Sequence, residues 1–237
     1  MNERNAQTAG KSEPAKPNPL ARLLTLQNGL VLGFFLLLLV IGLVVYRDYG
    51  LTWDDLAQVE IGELNFKYAF QGDPALFALK NRYYGPLFEM LLYAITRGLP
   101  DRPLFLIRHL LTFASFYAGM LFFYLLAKKV TRSWQYGLAA CLILAATPLI
   151  FGHAFYNSKD IPFLAAFIIA VYTLIRALEN ISWWNTIVHA LASAVLISLR
   201  APGILIYAMT LALLAFYWIF QPAPINRRKW FFTILFY

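Results

Sequence analysis

Between Arg22 and Arg47 the chain carries no charged residue for 24 positions. A helix needs about 20 apolar residues to cross a hydrocarbon core of about 30 Å. Inside that core the backbone must satisfy its own hydrogen bonds, so such a block folds as a helix. It is not a secretory signal. It follows a 22-residue polar leader, its apolar core is too long, and "VVYRDYG" offers no small-x-small cleavage site. Further uncharged runs lie at 110–127, 133–152, 161–175, 180–199 and 201–226, making six spans. A seventh run opens at Trp230 and meets the chain end at Tyr237, so we expect the N-terminal part of a longer protein. With 60% hydrophobic and 14% charged residues, the composition agrees. The expected fold class is an all-α, polytopic membrane protein, with interfacial juxtamembrane helices in a first external loop.

Residues 1–22, rich in polar residues, proline and lysine, bury nothing and are expected to form a disordered cytoplasmic tail. The net charge of +8 does not point to nucleic acid, because the basic residues flank hydrophobic blocks. They are better explained as orienting the spans by positive charge on the cytoplasmic side. The single cysteine, Cys141, lies inside an apolar run and reads as a small buried side chain.

Residues 84–100, "YGPLFEMLLYAITRGLP", decide the topology. Pro86 is a helix start signal, and Gly98 with Pro100 a stop signal. The helix between them, about 20 Å long, is too short to span. It also carries Glu89 and Arg97, each costing about 2.5–3.5 kcal/mol near the bilayer centre. It is therefore laid in the interface, inside an external loop from about 47 to 103. The N-terminal tail, "KKVTR" at 128–132, Arg176 and "NRRK" at 226–229 then all face the cytoplasm. The long first loop and the "NSKD" turn at 157–160 share the opposite side.

Nine of the 12 acidic residues fall in those two external loops. Asp54 and Asp55 follow the first span; Thr52 and Asp55 have the spacing of a capping box, and a carboxylate fixed there also serves as a base or cation ligand. Asp160, before Ile161-Pro162, reads as the N-cap of the next span. Lys159 needs an anion: Asp160, lipid headgroups or a bound phosphate. Arg82 and Arg200 lie at the same outer level. His153 and Tyr156 are candidate substrate contacts, and His189, inside the fifth span, reads as an interhelical hydrogen bonder. Metal-ligand spacing, a phosphate-binding glycine loop and a nucleophile elbow are all missing from the sequence.

An Asp-Asp pair soon after a first span, a Pro-Leu helix start some thirty residues later and an acidic residue at the outer end of the third span resemble the GT-C membrane glycosyltransferases. The resemblance runs to family 39, with its protein O-mannosyltransferases and lipid A aminoarabinose transferases. It covers about residues 30–237, the N-terminal half of such an enzyme, with 23–237 as one incomplete transmembrane domain. It implies an acidic catalytic residue at Asp54 or Asp55 and a second acidic position at Asp160. The family's His-Pro-Pro-Leu or Lys-Pro-Pro stretch reads "YGPL" here, Tyr84 to Leu87, with Arg82 nearby to face phosphate.

The implied reaction is transfer of a sugar from a polyprenyl-phosphate donor at the outer face of a bacterial inner membrane. Asp55 serves as base with Asp54 as alternate, and Lys159, Arg82 or Arg200 meets the leaving phosphate. The acceptor class stays open among lipid, glycan and protein. No cofactor is demanded, and a divalent cation remains compatible with the site. The competing readings are a transporter or flippase without covalent chemistry, against which stands the lack of an internal repeat, and an inactive fragment.

Overall fold

The computed structural model describes residues 25–220, and these are helical with no strand. The tail at 1–22 and the run from Trp230 lie outside the described residues. Helix α1 spans Leu26–Val45, α2 Asp55–Gln71, α3 Leu87–Thr96, α4 Asp101–Thr131, α5 Trp134–Ala146, α6 Pro148–Tyr156, α7 Asp160–Glu179, α8 Trp183–Leu199 and α9 Ile204–Phe220. Short 3-10 turns occupy Pro74–Ala78 and Ala201–Gly203. Two compact units divide within α1, the first ending at Leu37 and the second beginning at Leu38. The first contributes an apolar helical stretch in which Phe34 and Phe35 meet edge to face. Everything that follows concerns the second.

Helices α1, α4 and α7 are long and apolar enough to cross a membrane. The chain is a polytopic membrane protein of the helical class. At about 46 Å, α4 is longer than the hydrocarbon core is thick. The uncharged run at 133–152, expected as one straight span, is broken: α5 and α6 meet at a bend of 72°. The cause is Pro148, whose ring pushes the preceding Thr147 out of helical geometry, to ψ 108°. Counted together as one bent span, the pair brings the membrane-capable segments among the described residues to four. Helix α8, at 17 residues, is shorter than the full span expected there, and α9 is described as far as Phe220.

Helices α7, α8 and α9 close on a core of Ala166, Ala170, Leu174, Leu196, Leu199 and Ile206. Within it His189 bonds Thr173 Oγ1 at 3.0 Å and Thr210 Oγ1 at 2.9 Å, the interhelical role expected of it. Cys141 is fully buried, also as expected. Large apolar side chains on α5 and α9, among them Ile143, Leu205 and Phe216, face outward, as a lipid solvent requires. Lys129 and Glu179 pair at 2.5 Å where α4 and α7 end together.

Two close backbone approaches order the region before α4, one within it and one to the bundle. Gly62 of α2 lies so near the Glu89 carbonyl that a side chain at that position would collide with it. Gly85, before α3, presses in the same way on the backbone of Ser198 and Leu199 at the end of α8. Helix α3 is therefore packed on protein at its Glu89 and Leu92 face, both residues being buried, and exposes Leu87, Leu91 and Ile95.

Candidate active site

Three charged pairs, Asp54–Lys159, Asp160–Arg200 and Glu89–Arg108, are built around the turn at 157–160 and the first turns of α4, whereas Lys67 and Glu63 pair within α2. The turn before α2 starts the construction. Thr52 N–H donates to Asp55 Oδ2 at 2.6 Å, the return bond of the expected capping box. The Thr52 hydroxyl, however, donates to Asp54 Oδ1 at 3.1 Å instead of capping the helix. The two carboxylates thereby part company. Asp55 turns inward and is 4% exposed. Asp54 turns outward to meet Lys159 Nζ, 105 residues away, with side chains 22% and 27% exposed respectively.

That ion pair corrects the sequence reading of Lys159, which offered Asp160, headgroups or phosphate as its partner. The expected cap is corrected as well. Helix α7 begins at Asp160 itself, and it is Asn157 that caps it, its Oδ1 accepting from Asp160 N–H at 2.8 Å. Asn157 Nδ2 donates to Asp160 Oδ2 at 2.9 Å and lies 2.7 Å from His153 Nδ1, which makes that nitrogen the acceptor. Asp160 also accepts from Arg200 Nη1, the residue that closes α8. Adjacent residues of one turn thus pair in opposite senses: Lys159 with the acid loop, Asp160 with the end of α8.

Asp54 feels two opposing influences. Burial raises its carboxyl pKa, but the hydrogen bond and charge of Lys159, with the Thr52 hydroxyl, outweigh it and hold the group below its ordinary 3.8.

The other predicted residues are distributed unevenly. Arg82 is half-buried in its own loop, donating to Phe77 O at 3.3 Å and Tyr83 Oη at 3.0 Å, and no described carboxylate meets it. Tyr84 is exposed beside Gly85, on the strand of chain that presses against the end of α8 next to Arg200. Tyr156 lies between His153, at 5.1 Å, and Tyr49, at 5.9 Å. Among the described residues, no group of three or more His, Cys, Asp or Glu side chains converges as a metal site.

Residues 86–237 match the profile of the dolichyl-phosphate-mannose-protein mannosyltransferases. The chain belongs to that family. It is a GT-C membrane glycosyltransferase, and the family chemistry is glycosyl transfer from a lipid-linked donor within a membrane. No curated protein matches the chain, and no solved structure does. The matched mannosyltransferase region takes in α3 to α9 and the turn at 157–160, whereas Asp54 and Asp55 precede it.

Within this GT-C fold lies a network that the sequence reading passes over. Arg108 Nη2 donates to Glu89 Oε2 at 2.6 Å, and Ser158 Oγ donates to Glu89 Oε1. The Arg108 and Glu89 side chains are each 4% exposed. Burial drives the Glu89 carboxyl above its ordinary range, against the pull of Arg108 and Ser158. Ser158 directly precedes Lys159, so the network anchors the turn that carries the exposed cation. The available signal was an arginine seven residues inside α4 together with a glutamate inside an apolar helix. Opposite charges that are each unaffordable alone in an apolar segment imply one another.

Proposed function

We propose that this chain transfers a hexosyl or pentosyl group from a polyprenyl-phosphate donor to a hydroxyl of a lipid, glycan or protein acceptor, with Asp54 as the base. The observation that carries the reading is the partly exposed Asp54–Lys159 pair, which joins the acid loop to the cationic turn. Asp54 is preferred to Asp55 because Asp55 is buried and already accepts from the Thr52 backbone. Asp160, held by Asn157 and Arg200, positions the turn.

The steps follow from the charges. A donor phosphate entering beside Lys159 competes with Asp54 for the ammonium, and Arg200 adds a second cation at the same turn. As Lys159 moves to phosphate, Asp54 loses its countercharge and its proton affinity rises toward an ordinary carboxylate. The acceptor oxygen attacks the anomeric carbon while its proton passes to Asp54. The bond from that carbon to the phosphate oxygen breaks, and the electron pair leaves with the lipid phosphate, stabilised by Lys159 and Arg200. The donor's hydrocarbon tail remains in the bilayer throughout. Tyr84, His153 and Tyr156 are assigned to the sugar or acceptor, and Arg82 to the phosphate only if its loop rearranges.

Orientation follows from the ends of the helices. Lys128 and Lys129 close α4 and Arg176 lies in the last turn of α7, opposite the end that holds Asp54. This supports a cytoplasmic N-terminus and a site on the outer face of a bacterial inner membrane. The deciding experiment is transfer from a polyprenyl-phosphate sugar in membranes, comparing Asp54→Asn and Asp55→Asn. Loss of about 10²–10⁴-fold in Asp54→Asn with normal folding is expected. Unchanged turnover in both variants would remove the proposal.

A further inference from the structure

A cavity of about 310 Å³ opens between the chain that leaves α1 and the first turns of α4. Arg47, Tyr49, Asp101, Arg102, Phe105 and His109 are among its lining residues, whereas Lys159, Asp160 and Arg200 are not. We propose that it is a second anion site, distinct from the turn at 157–160, that takes the phosphate of a membrane lipid.

His109 is the first reason. It is 3% exposed, and neither of its ring nitrogens meets a hydrogen-bond partner. The Tyr46 backbone lies close enough to act on the ring as a weak hydrogen bond and the Asp55 carboxylate acts through its charge, but neither meets a ring nitrogen at full hydrogen-bond geometry. A buried imidazole without a full partner is costly, and a native fold retains such a group where something else satisfies it. Since the ring lines the cavity, a ligand oxygen held there satisfies it.

The second reason is charge. Arg47 and Arg102 both line the cavity and are exposed, and Asp101 is the carboxylate in the lining, with Asp55 acting on His109 and Asp48 on Tyr49 from outside it. Arg47 Nε donates to its neighbour Tyr46 Oη at 3.0 Å, and Arg102 forms no ion pair among the described residues. Two guanidinium forks suit the planar edges of a phosphate. The third is the wall: buried Phe105, with Leu51 and Leu106, offers apolar surface beside the charges. An anionic head joined to a hydrocarbon body satisfies all three features, and a free anion satisfies the first two. The volume accepts a phosphate with a few attached carbons, at about 30 Å³ per water displaced.

Occupancy also bears on the neighbouring chemistry. Tyr49 stacks on Phe155 at 4.5 Å and approaches Tyr156 at 5.9 Å, so a ligand against Tyr49 braces the helix that leads into the turn at 157–160. The inference does not rest on the assignment of Asp54, and Asp54→Asn protein should bind the lipid like the wild type.

The test is thermal unfolding of the full chain in mixed micelles, titrated with phosphatidylglycerol, phosphatidylcholine or inorganic phosphate. Phosphatidylglycerol should raise the midpoint by about 4 °C or more at saturation, and phosphatidylcholine should not. In Arg47→Gln/Arg102→Gln the half-saturating concentration should rise at least about tenfold. His109→Phe should lose the lipid shift while keeping the unliganded midpoint, because an unpaired buried polar group gives way to an apolar one. If inorganic phosphate alone reproduces the full shift, the anion site stands and its source is soluble. Equal shifts in wild type and the double arginine variant, or no shift with any ligand, would overturn it.

Discussion

Two sets of opposite charges lie within one turn of each other and do different work. Glu89, Arg108 and Ser158 are sealed in protein, while the Asp54–Lys159 and Asp160–Arg200 pairs keep between about a fifth and two fifths of their side chains exposed. The sealed network cannot exchange partners, because no solvent or ligand reaches it to replace a lost one. The open pairs can, and a site that binds a phosphate needs cations whose present partners can be displaced. Sealed charge fixes the turn, and open charge serves the substrate.

The sharpest way to break this contrast is inside the sealed network. Glu89→Leu strands a guanidinium that cannot deprotonate, and should cost about 3–5 kcal/mol in unfolding. Arg108→Met should cost less, because the Glu89 carboxyl, already raised by burial, can take a proton and remain bonded to Ser158. The double variant should recover much of the loss, since the charges vanish together. Denaturant titration of purified protein checks the order. Two silent single variants would mean that the network holds nothing together.

The same contrast explains what could be read from residues alone. The helical membrane class follows from uncharged runs, which are local. The shared side of the acid loop and the "NSKD" turn follows from counting lysines and arginines at the loops. Partners do not follow, because Asp54 and Lys159 are 105 residues apart and Ser158 and Glu89 are 69 apart. Only packing sets such distances. Two misses are of another kind: Pro148 in the middle of an uncharged run announces the break between α5 and α6, and Asn157 three residues before Asp160 has capping spacing. Charge bookkeeping alone overlooks both, since neither residue is charged.

In the open set, Lys159→Met and Arg200→Gln should leave the fold nearly unchanged, each within about 1 kcal/mol, because exposed pairs contribute little to stability. Their effect should fall on transfer. Arg200→Gln raises KM for the lipid donor by about tenfold, with a smaller loss in kcat. Lys159→Met lowers kcat more than it raises KM, because its charge matters most as the leaving phosphate forms. Steady-state kinetics with a defined polyprenyl-phosphate sugar separate the two. A large fall in stability from either substitution would move that pair into the structural class and erase the distinction.

The smallest effect, in pH, has opposite signs in the two sets. Asp54 is held below its ordinary 3.8, so the unfolded chain binds its proton more readily than the folded one. Its contribution is therefore present above about pH 3.8 and is lost as pH falls through the lower folded value. Glu89 is raised above its ordinary 4.5, so its contribution is full below 4.5 and is lost as pH climbs through the raised value. Unfolding midpoints of wild type and Asp54→Asn should differ by a constant amount above about pH 5 and converge on acidification. Glu89→Gln, compared with wild type in the same way, should show its pH-dependent change on the alkaline side of 4.5. If both variants converge with wild type in the same direction, the two carboxylates share one environment, and the division between fixed and exchangeable charge does not hold.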